Sequence, residues 1–294
     1  MKGQARETTS FVQAQARVWA HRPVSARYYH LTLHCPEVAR HAAPGQFVLL
    51  ACQSGLSGAE GVFDPLLPRP LAMLDADPAS GLLEFLYFVA GRGTNFLRQT
   101  VESALAGRDV RLCMIGPLGR GFEPVSGVEA HVGVGGGSGV APLVYFFRRM
   151  DSSMARHLIL AARSREHLVS GETVALPGVA VSTATDDGTS GFRGNAVEAL
   201  ADLLDGSLAG RRVALYVAGP EPMMLAAVRL ARARRLPVRV SLEARMACGV
   251  GVCRGCVVDG RNPHPKTGLH RYCVCQDGPV FDPDELDGAW SAGT

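Results

Sequence analysis

The sequence predicts an α+β multidomain protein. An N-terminal antiparallel β-barrel covers residues 11–125, a central α/β domain built on a parallel sheet covers 126–243, and a small cysteine-rich segment covers 244–294. Three observations lead there. The first zone consists of short apolar or alternating runs broken by turn residues. In the second, apolar runs alternate with helix-like stretches. In the third, Cys248, Cys253, Cys256, Cys273 and Cys275 crowd together, out of 8 cysteines in the chain.

Composition narrows the function classes. The 294 residues are 47% hydrophobic, enough for more than one core and too apolar for wholesale disorder. Lys+Arg 30 against Asp+Glu 27 leaves a formal charge of +3, too small an excess to predict a nucleic-acid footprint or a polybasic membrane anchor. No apolar run approaches the roughly 18 residues of a bilayer span, and MKGQARETTSF lacks the apolar centre of a secretion signal. The expectation is a cytoplasmic protein with small-molecule or protein partners, binding neither membrane nor nucleic acid. The 34 glycines and 18 prolines are dispersed, as suits many tight turns in a folded chain.

In the barrel zone, VQAQARVWA, ARYYHLTLHC, GQFVLLAC, LLEFLYFVA and VRLCMI have strand composition and spacing. LLPRPLAM reads as a further strand entered through a turn, because each proline removes a ladder donor. Thr94 to Ala106 reads as the zone's one helix, with Phe96, Leu97, Val101 and Leu105 near helical periodicity.

In the central zone the strands are EAHVGVGG, HLILAAR, VAVSTAT, VALYVAG and VRVSL. Between them VAPLVYFFRRM, GNAVEALADLL and EPMMLAAVRLARARR have helical character. Near-continuous apolar strands joined by helices imply a parallel sheet covered on both faces. Such sheets bind ligands at their strands' carboxyl ends. The glycine-rich turn holding Gly135, Gly136, Gly137 and Gly139 follows the first strand and opens a helix. Glycines let a pyrophosphate approach the backbone, where free N–H groups and the helix dipole favour an anion; otherwise they close a tight turn. The turn is not the usual dinucleotide fingerprint, and no acidic residue follows the second strand to grip a ribose. Arg163 and Arg165 stand there instead, to meet an adenosine phosphate or face water. Asp186 ends the third strand, and Gly219 with Pro220 ends the fourth, where a nicotinamide would lie or where a turn is all that is needed. Met223, Met224, Leu225, Val228 and Leu230 read as core. The ARARR end sets cations at a helix C-terminus.

The final segment is too small to own a core without a staple. Cys248-x4-Cys253-x2-Cys256 followed by a distant cysteine is the spacing of a plant-type [2Fe-2S] centre. Two bridged irons need four converging thiolates, three of them from one tight loop, and Gly249, Gly251 and Gly255 let that loop curl. A zinc knuckle would ordinarily show two Cys-x2-Cys pairs. One of Cys273 and Cys275 completes the set, and spacing alone does not choose between them.

Taken in order, Arg69-Pro70-Leu71-Ala72, Gly91-Arg92-Gly93-Thr94, Gly116-Pro117-Leu118-Gly119 and the VGGGSGVAPL turn resemble the ferredoxin-reductase family. Within it, the chain resembles the electron-transfer subunits of NAD-dependent dihydroorotate dehydrogenases (B type). The lines that carry this are PGQFVLL (44 to 50), LPRPLAM (67 to 73), GPLGRGF (116 to 122), GGGSGVAPL (135 to 143), ATDDG (184 to 188), AGPEPMM (218 to 224), EARMACGVGVCRGC (243 to 256) and VCQDGPVF (274 to 281).

The resemblance implies an FAD-binding barrel in which Arg69, Pro70, Leu71 and Ala72 hold the flavin with Leu86, Tyr87, Phe88, Gly93 and Thr94. It also implies an NAD-binding α/β domain and a [2Fe-2S] segment, with Cys248, Cys253, Cys256 and Cys275 as ligands and Cys273 spare. No catalytic side chain is assigned. The implied partner is a catalytic FMN-containing dihydroorotate dehydrogenase subunit, in a heterotetramer serving pyrimidine biosynthesis. FAD would be the adapter between a two-electron nicotinamide and a one-electron cluster. Two alternatives stand beside this: the same relay serving an oxygenase, hydrogenase or sulfide-oxidising system, and a zinc-stapled, non-catalytic binding module. Ala72 stands where the family commonly has Ser, and Ala218 where many members have Cys. The segment 52–65 is longer than the family needs, as for a surface loop or partner contact.

Overall fold

The structure, a computed structural model, describes residues 11–54, 65–169, 171 and 173–290. The long segment noted above lies outside them, apart from its ends. Strands β1 (Val12–Ser25), β2 (Tyr28–His34), β3 (Phe47–Ser54), β4 (Arg69–Asp77), β5 (Leu82–Phe88) and β6 (Arg111–Leu118) form a closed barrel in the order β1-β2-β5-β4-β3-β6, with every pairing antiparallel. Alternation fills it: Leu31, Leu33, Val48, Leu50, Leu83 and Phe85 point into one core. The run Phe47-Val48-Leu49-Leu50 is apolar throughout because β3 has two buried faces. Val48 and Leu50 face the barrel core, while Phe47 and Leu49 join the core of the neighbouring sheet.

Helix α1 (Pro36–Ala39) is one turn, and α2 (Arg92–Leu105) places Leu97 and Val101 in the barrel core. The start of α2 precedes the predicted Thr94 because the Thr94 hydroxyl folds back as a cap, accepting from Ala90 N at 3.0 Å and Gly91 N at 3.3 Å. Pro70 sits within β4 opposite Leu49.

The second sheet takes β7 (Ala130–Gly136), β8 (Ala155–Ala162), β9 (Ala180–Thr185), β10 (Phe192–Arg193), β11 (Val213–Ala218) and β12 (Val238–Ser241), all parallel, in the order β10-β9-β8-β7-β11-β12. Helix α3 (Val140–Arg149) packs Val140, Leu143, Val144 and Phe147 on one face. The opposite face is covered by α4 (Ala196–Asp205) and α5 (Glu221–Ala233) through Leu200, Leu204, Met224 and Val228. Both faces are therefore covered, as the apolar strands require.

The tail forms the hairpin β13 (Val257–Asp259) and β14 (Arg271–Cys273), the turn α6 (Val274–Asp277) and β15 (Val280–Phe281). Here the fold departs from expectation. β15 adds antiparallel to β12 at the edge of the large sheet, and Cys256, Val274, Phe281, Leu286 and Trp290 join the core of the α/β domain. The tail shares a core it is too short to build. β10 and β15, two residues each, carry no periodicity from which they could be read.

Candidate functional site

Where the barrel meets the sheet there is a cavity of about 840 Å³, within the range of small-molecule sites of roughly 300–1,000 Å³. Its wall is drawn from β3, β4, β5, the start of α2, the glycine-rich turn, the end of β11, the end of β12 and the segment that follows it to Met246. Of the predicted residues, Arg69, Pro70, Leu71, Ala72, Leu86, Tyr87, Phe88, Thr94, Gly139 and Gly219 all line it. They come from four distant stretches of sequence.

The Arg69 side chain crosses the first turn of α2. A Cβ on Gly93 would lie 1.8 Å from Arg69 Nη2, so Gly93 stands beneath the guanidinium rather than in the wall. Arg69 Nη1 donates to Leu67 O at 2.6 Å. This sets a cation at the N-terminal end of α2, where the helix dipole favours an anion. Tyr87 is 1% exposed and its hydroxyl meets His21 Nε2 at 2.9 Å, with the His21 and Tyr29 rings stacked beside it. Burial holds that hydroxyl well above its usual titration range. Phe88 packs against Tyr28 at 4.9 Å and carries Arg27 over its ring at 4.8 Å.

The glycines of the turn divide by role. Gly139 lines the cavity, and a Cβ there would come within 2.5 Å of the Ala218 carbonyl and Gly219 N, so two strand ends meet backbone to backbone. Gly135 packs on Val140 and Leu143, Gly136 on Pro220 and Met223, and Gly137, at φ 58°, against the Tyr28 hydroxyl. Those three and Pro220 lie behind the wall. Asp186 is exposed beyond β9 and lines neither this cavity nor a second one of about 610 Å³, which holds Arg165, Glu166 and Thr183.

Sequence reasoning missed Ser138, Phe47, Met246 and Glu243 in the wall. Glu243 follows the last parallel strand, and that position was its available signal, since ligands gather at strand carboxyl ends. The surrounding protein raises its carboxyl above the ordinary range by desolvation.

The cysteine loop continues directly from this wall: Met246 lines the cavity and Cys248 begins the thiol set. Four thiols each accept a backbone N–H: Cys248 from Cys253 at 3.3 Å, Cys253 from Gly255 at 3.4 Å, Cys275 from Gly251 at 3.2 Å and Cys256 from Cys275 at 3.5 Å. No such bond is described for Cys273, whose own N–H donates to Asp277. Backbone N–H bonds thus tie Cys253 to the Cys248 sulfur and Cys275 to the Cys256 sulfur. Among the described residues no group of three or more His, Cys, Asp or Glu side chains could hold a metal ion. A [2Fe-2S] centre would draw its four thiolates from this loop and the turn after it.

The hydrogen bond with Cys275 is the main cause that brings the Cys256 thiol down to about 6, while the Cys275 thiol is pushed up by the same contact. At Cys248 burial raises the thiol, but the N–H groups of Cys253 and Val250 outweigh it and leave it at about 7. Lowered toward neutrality, Cys248 and Cys256 lose their protons readily, as metal ligation needs. Gly249 and Gly251 take φ of 68° and 79°, as the curl requires. Gly255 does not; its neighbour Arg254 adopts the left-handed turn at φ 53°. A Cβ on Gly249 would lie 2.6 Å from Leu49 Cδ1, so the loop is seated directly on the barrel.

A barrel and a parallel sheet meeting in a cavity, with a loop of N–H-bonded thiols on its rim, define a ferredoxin-reductase-like oxidoreductase carrying an iron-sulfur segment. The NADH-dependent reduced ferredoxin-NADP oxidoreductase structure matches with TM-score 0.74 at 25% identity, covering 93% of this chain and 90% of that one. The ferredoxin reductase of carbazole 1,9a-dioxygenase shares the fold, with TM-score 0.59 at 20% identity, 78% of this chain and 69% of the other. Residues 243–287 match the iron-sulfur cluster binding domain of dihydroorotate dehydrogenase B. The dihydroorotate dehydrogenase B (NAD(+)) electron transfer subunit of Desulforamulus reducens is 35% identical over 270 residues, 90% of this chain and 95% of that protein. The subunit of the same name from Geobacillus thermodenitrificans is 34% identical over 272 residues, 92% of this chain and 96% of the relative. The chain belongs to this family of electron transfer subunits.

Proposed function

We propose that this chain carries electrons from a catalytic partner, which oxidises dihydroorotate on its own FMN, to NAD+ by way of a [2Fe-2S] centre and FAD held by its own residues. The observation that carries the reading is the continuity of cavity and cysteine loop: Met246 lines one, Cys248 opens the other, and Gly249 seats the loop on Leu49 of the barrel. FAD supplies an exchange of electron pairs with a nicotinamide and of single electrons with an iron-sulfur centre.

The residues fit these groups. Arg69, Pro70, Leu71, Ala72, Leu86, Tyr87, Phe88 and Thr94 would hold FAD, with Gly93 leaving room for the arginine. The N–H groups that open α2, beside the Arg69 cation, supply the donors a pyrophosphate needs. Gly135, Gly136, Gly137 and Gly139 shape the nucleotide turn, and Asp186, Gly219 and Pro220 stand at strand carboxyl ends on the NAD side. Cys248, Cys253, Cys256 and Cys275 would ligate the cluster, their N–H donors holding thiolate charge in place. The functional segments are then 11–125 for FAD, 126–243 for NAD and 244–294 for the cluster. Cys253 is exposed and Val252 beside it is 80% exposed, which leaves the cluster approachable by a partner subunit. Among the described residues no helix is long and apolar enough to cross a membrane.

The test is turnover of the purified chain loaded with FAD and iron. It is expected to reduce dyes with NADH and to leave dihydroorotate untouched until the catalytic subunit is added. Dihydroorotate oxidation by this chain alone would overturn the assignment.

A further inference from the structure

Cys275 is carried on α6, a helical turn of four residues, too short to hold its own shape. Asp277 closes it. Its Oδ2 accepts the N–H of Cys273 at 2.7 Å, drawing the two ends of the turn together around Cys275. Its Oδ1 meets His264 Nε2 at 2.9 Å, with Arg120 Nη2 of the barrel loop at 3.8 Å. Asp277 is 6% exposed and His264 8%, and a carboxylate this buried is costly unless its oxygens find donors.

His264 is built to be that donor. The loop between β13 and β14 folds on itself, with His264 N donating to Leu269 O and Gly268 N to His264 O, each at 2.8 Å. Lys266 N–H donates to His264 Nδ1 at 3.2 Å, so Nδ1 is an acceptor and the ring proton stands on Nε2, aimed at Asp277. The Tyr272 ring packs edge-on against the imidazole at 5.3 Å. Neither His264 nor Asp277 contacts a sulfur in any described bond; their influence runs through the backbone that places Cys275, whose own N–H reaches Cys256 Sγ.

We propose that His264 is a positioning residue for the iron-sulfur centre: by donating to Asp277 it fixes the turn that presents Cys275. This rests on Cys275 being the fourth ligand. The test compares full-length H264A and H264Q after cluster loading, reading iron release to a chelator and the electron paramagnetic resonance of the reduced centre, with bound FAD as the control for folding. Loss of a direct outer partner of a metal ligand typically costs 10–100-fold in affinity; His264 acts one step further out, through Asp277, so H264A is expected at the low end of that range, releasing iron about tenfold faster with displaced g-values. H264Q, whose amide nitrogen stands where Nε2 does, is expected to stay near the parent on both readouts.

A parental release rate and spectrum in H264A overturns the proposal, as does a defect in H264Q equal to that of H264A. If H264A does not accumulate with FAD, H264N serves in its place, since its shorter amide cannot reach Asp277; equal behaviour of H264N and H264Q then overturns the proposal. Cys275→Ala, which leaves no donor atom, separates the two layers. A full cluster in that variant removes the ligand assignment itself, whereas cluster loss there with an unaffected H264A removes only the role of His264.

Discussion

Gly139 shows what one absent carbon permits. Its φ of −61° suits any residue, so what excludes a side chain is the 2.5 Å approach to the Ala218 carbonyl and Gly219 N. Gly139→Ala is expected to lower stability by about 1–3 kcal/mol through overpacking and to weaken NADH-dependent dye reduction, because the two strand ends flanking the cavity must separate. A urea midpoint together with KM for NADH checks it; a parental value of both would mean that the strand ends move apart freely. At this scale the cysteine spacing was legible because thiolate geometry dictates it. Glu243 was not, since a carboxylate's meaning depends on the cavity around it. Nor was the division of labour in the curl, where Arg254 rather than Gly255 takes the left-handed conformation.

Helix α3 begins at the glycine-rich turn and ends on the barrel. Arg148 Nη1 pairs with Asp75 at 3.0 Å and Glu84 at 3.6 Å, Arg149 Nη2 with Asp75 at 2.9 Å, and His30 Nε2 with Glu84 at 3.1 Å. The periodicity of VAPLVYFFRRM made the helix and its apolar face legible; its partner β4 was not, because ion pairs between distant segments leave no local pattern. Chiefly through the His30 hydrogen bond, and against burial, the Glu84 carboxyl is held below its ordinary value of 4.5. A depressed carboxyl contributes stability above its unfolded value, and that contribution is lost as pH falls through the folded one. The Tm of the parent is therefore expected to exceed that of Glu84→Gln near neutrality, with the gap closing below about pH 4.5. A gap independent of pH would show that the carboxylate charge does not act between α3 and the barrel.

For the whole molecule, the tail's place in the sheet decides what loss of metal does. Val274, Phe281, Leu286 and Trp290 share the α/β core, and Arg232 of α5 reaches Asp284 at 2.8 Å and Trp290 O at 2.6 Å. These holds do not depend on iron. Chelation of the loaded protein is expected to raise amide exchange across 246–256 while β7–β12 and β15 stay protected. Exchange spreading through the parallel sheet would show instead that the metal staples that domain.

The order of elements, the period of each strand and helix, and the ligand spacing are local properties, and the sequence by itself determined them because backbone geometry and thiolate chemistry act over a few residues. Tertiary structure alone decided that residues from Phe47 to Pro279 close one cavity, that the Cys275 N–H meets Cys256 Sγ, that β15 completes the large sheet and that His264 reaches Asp277. Those are meetings between distant segments, settled by how apolar faces and buried charges find partners in the packed whole.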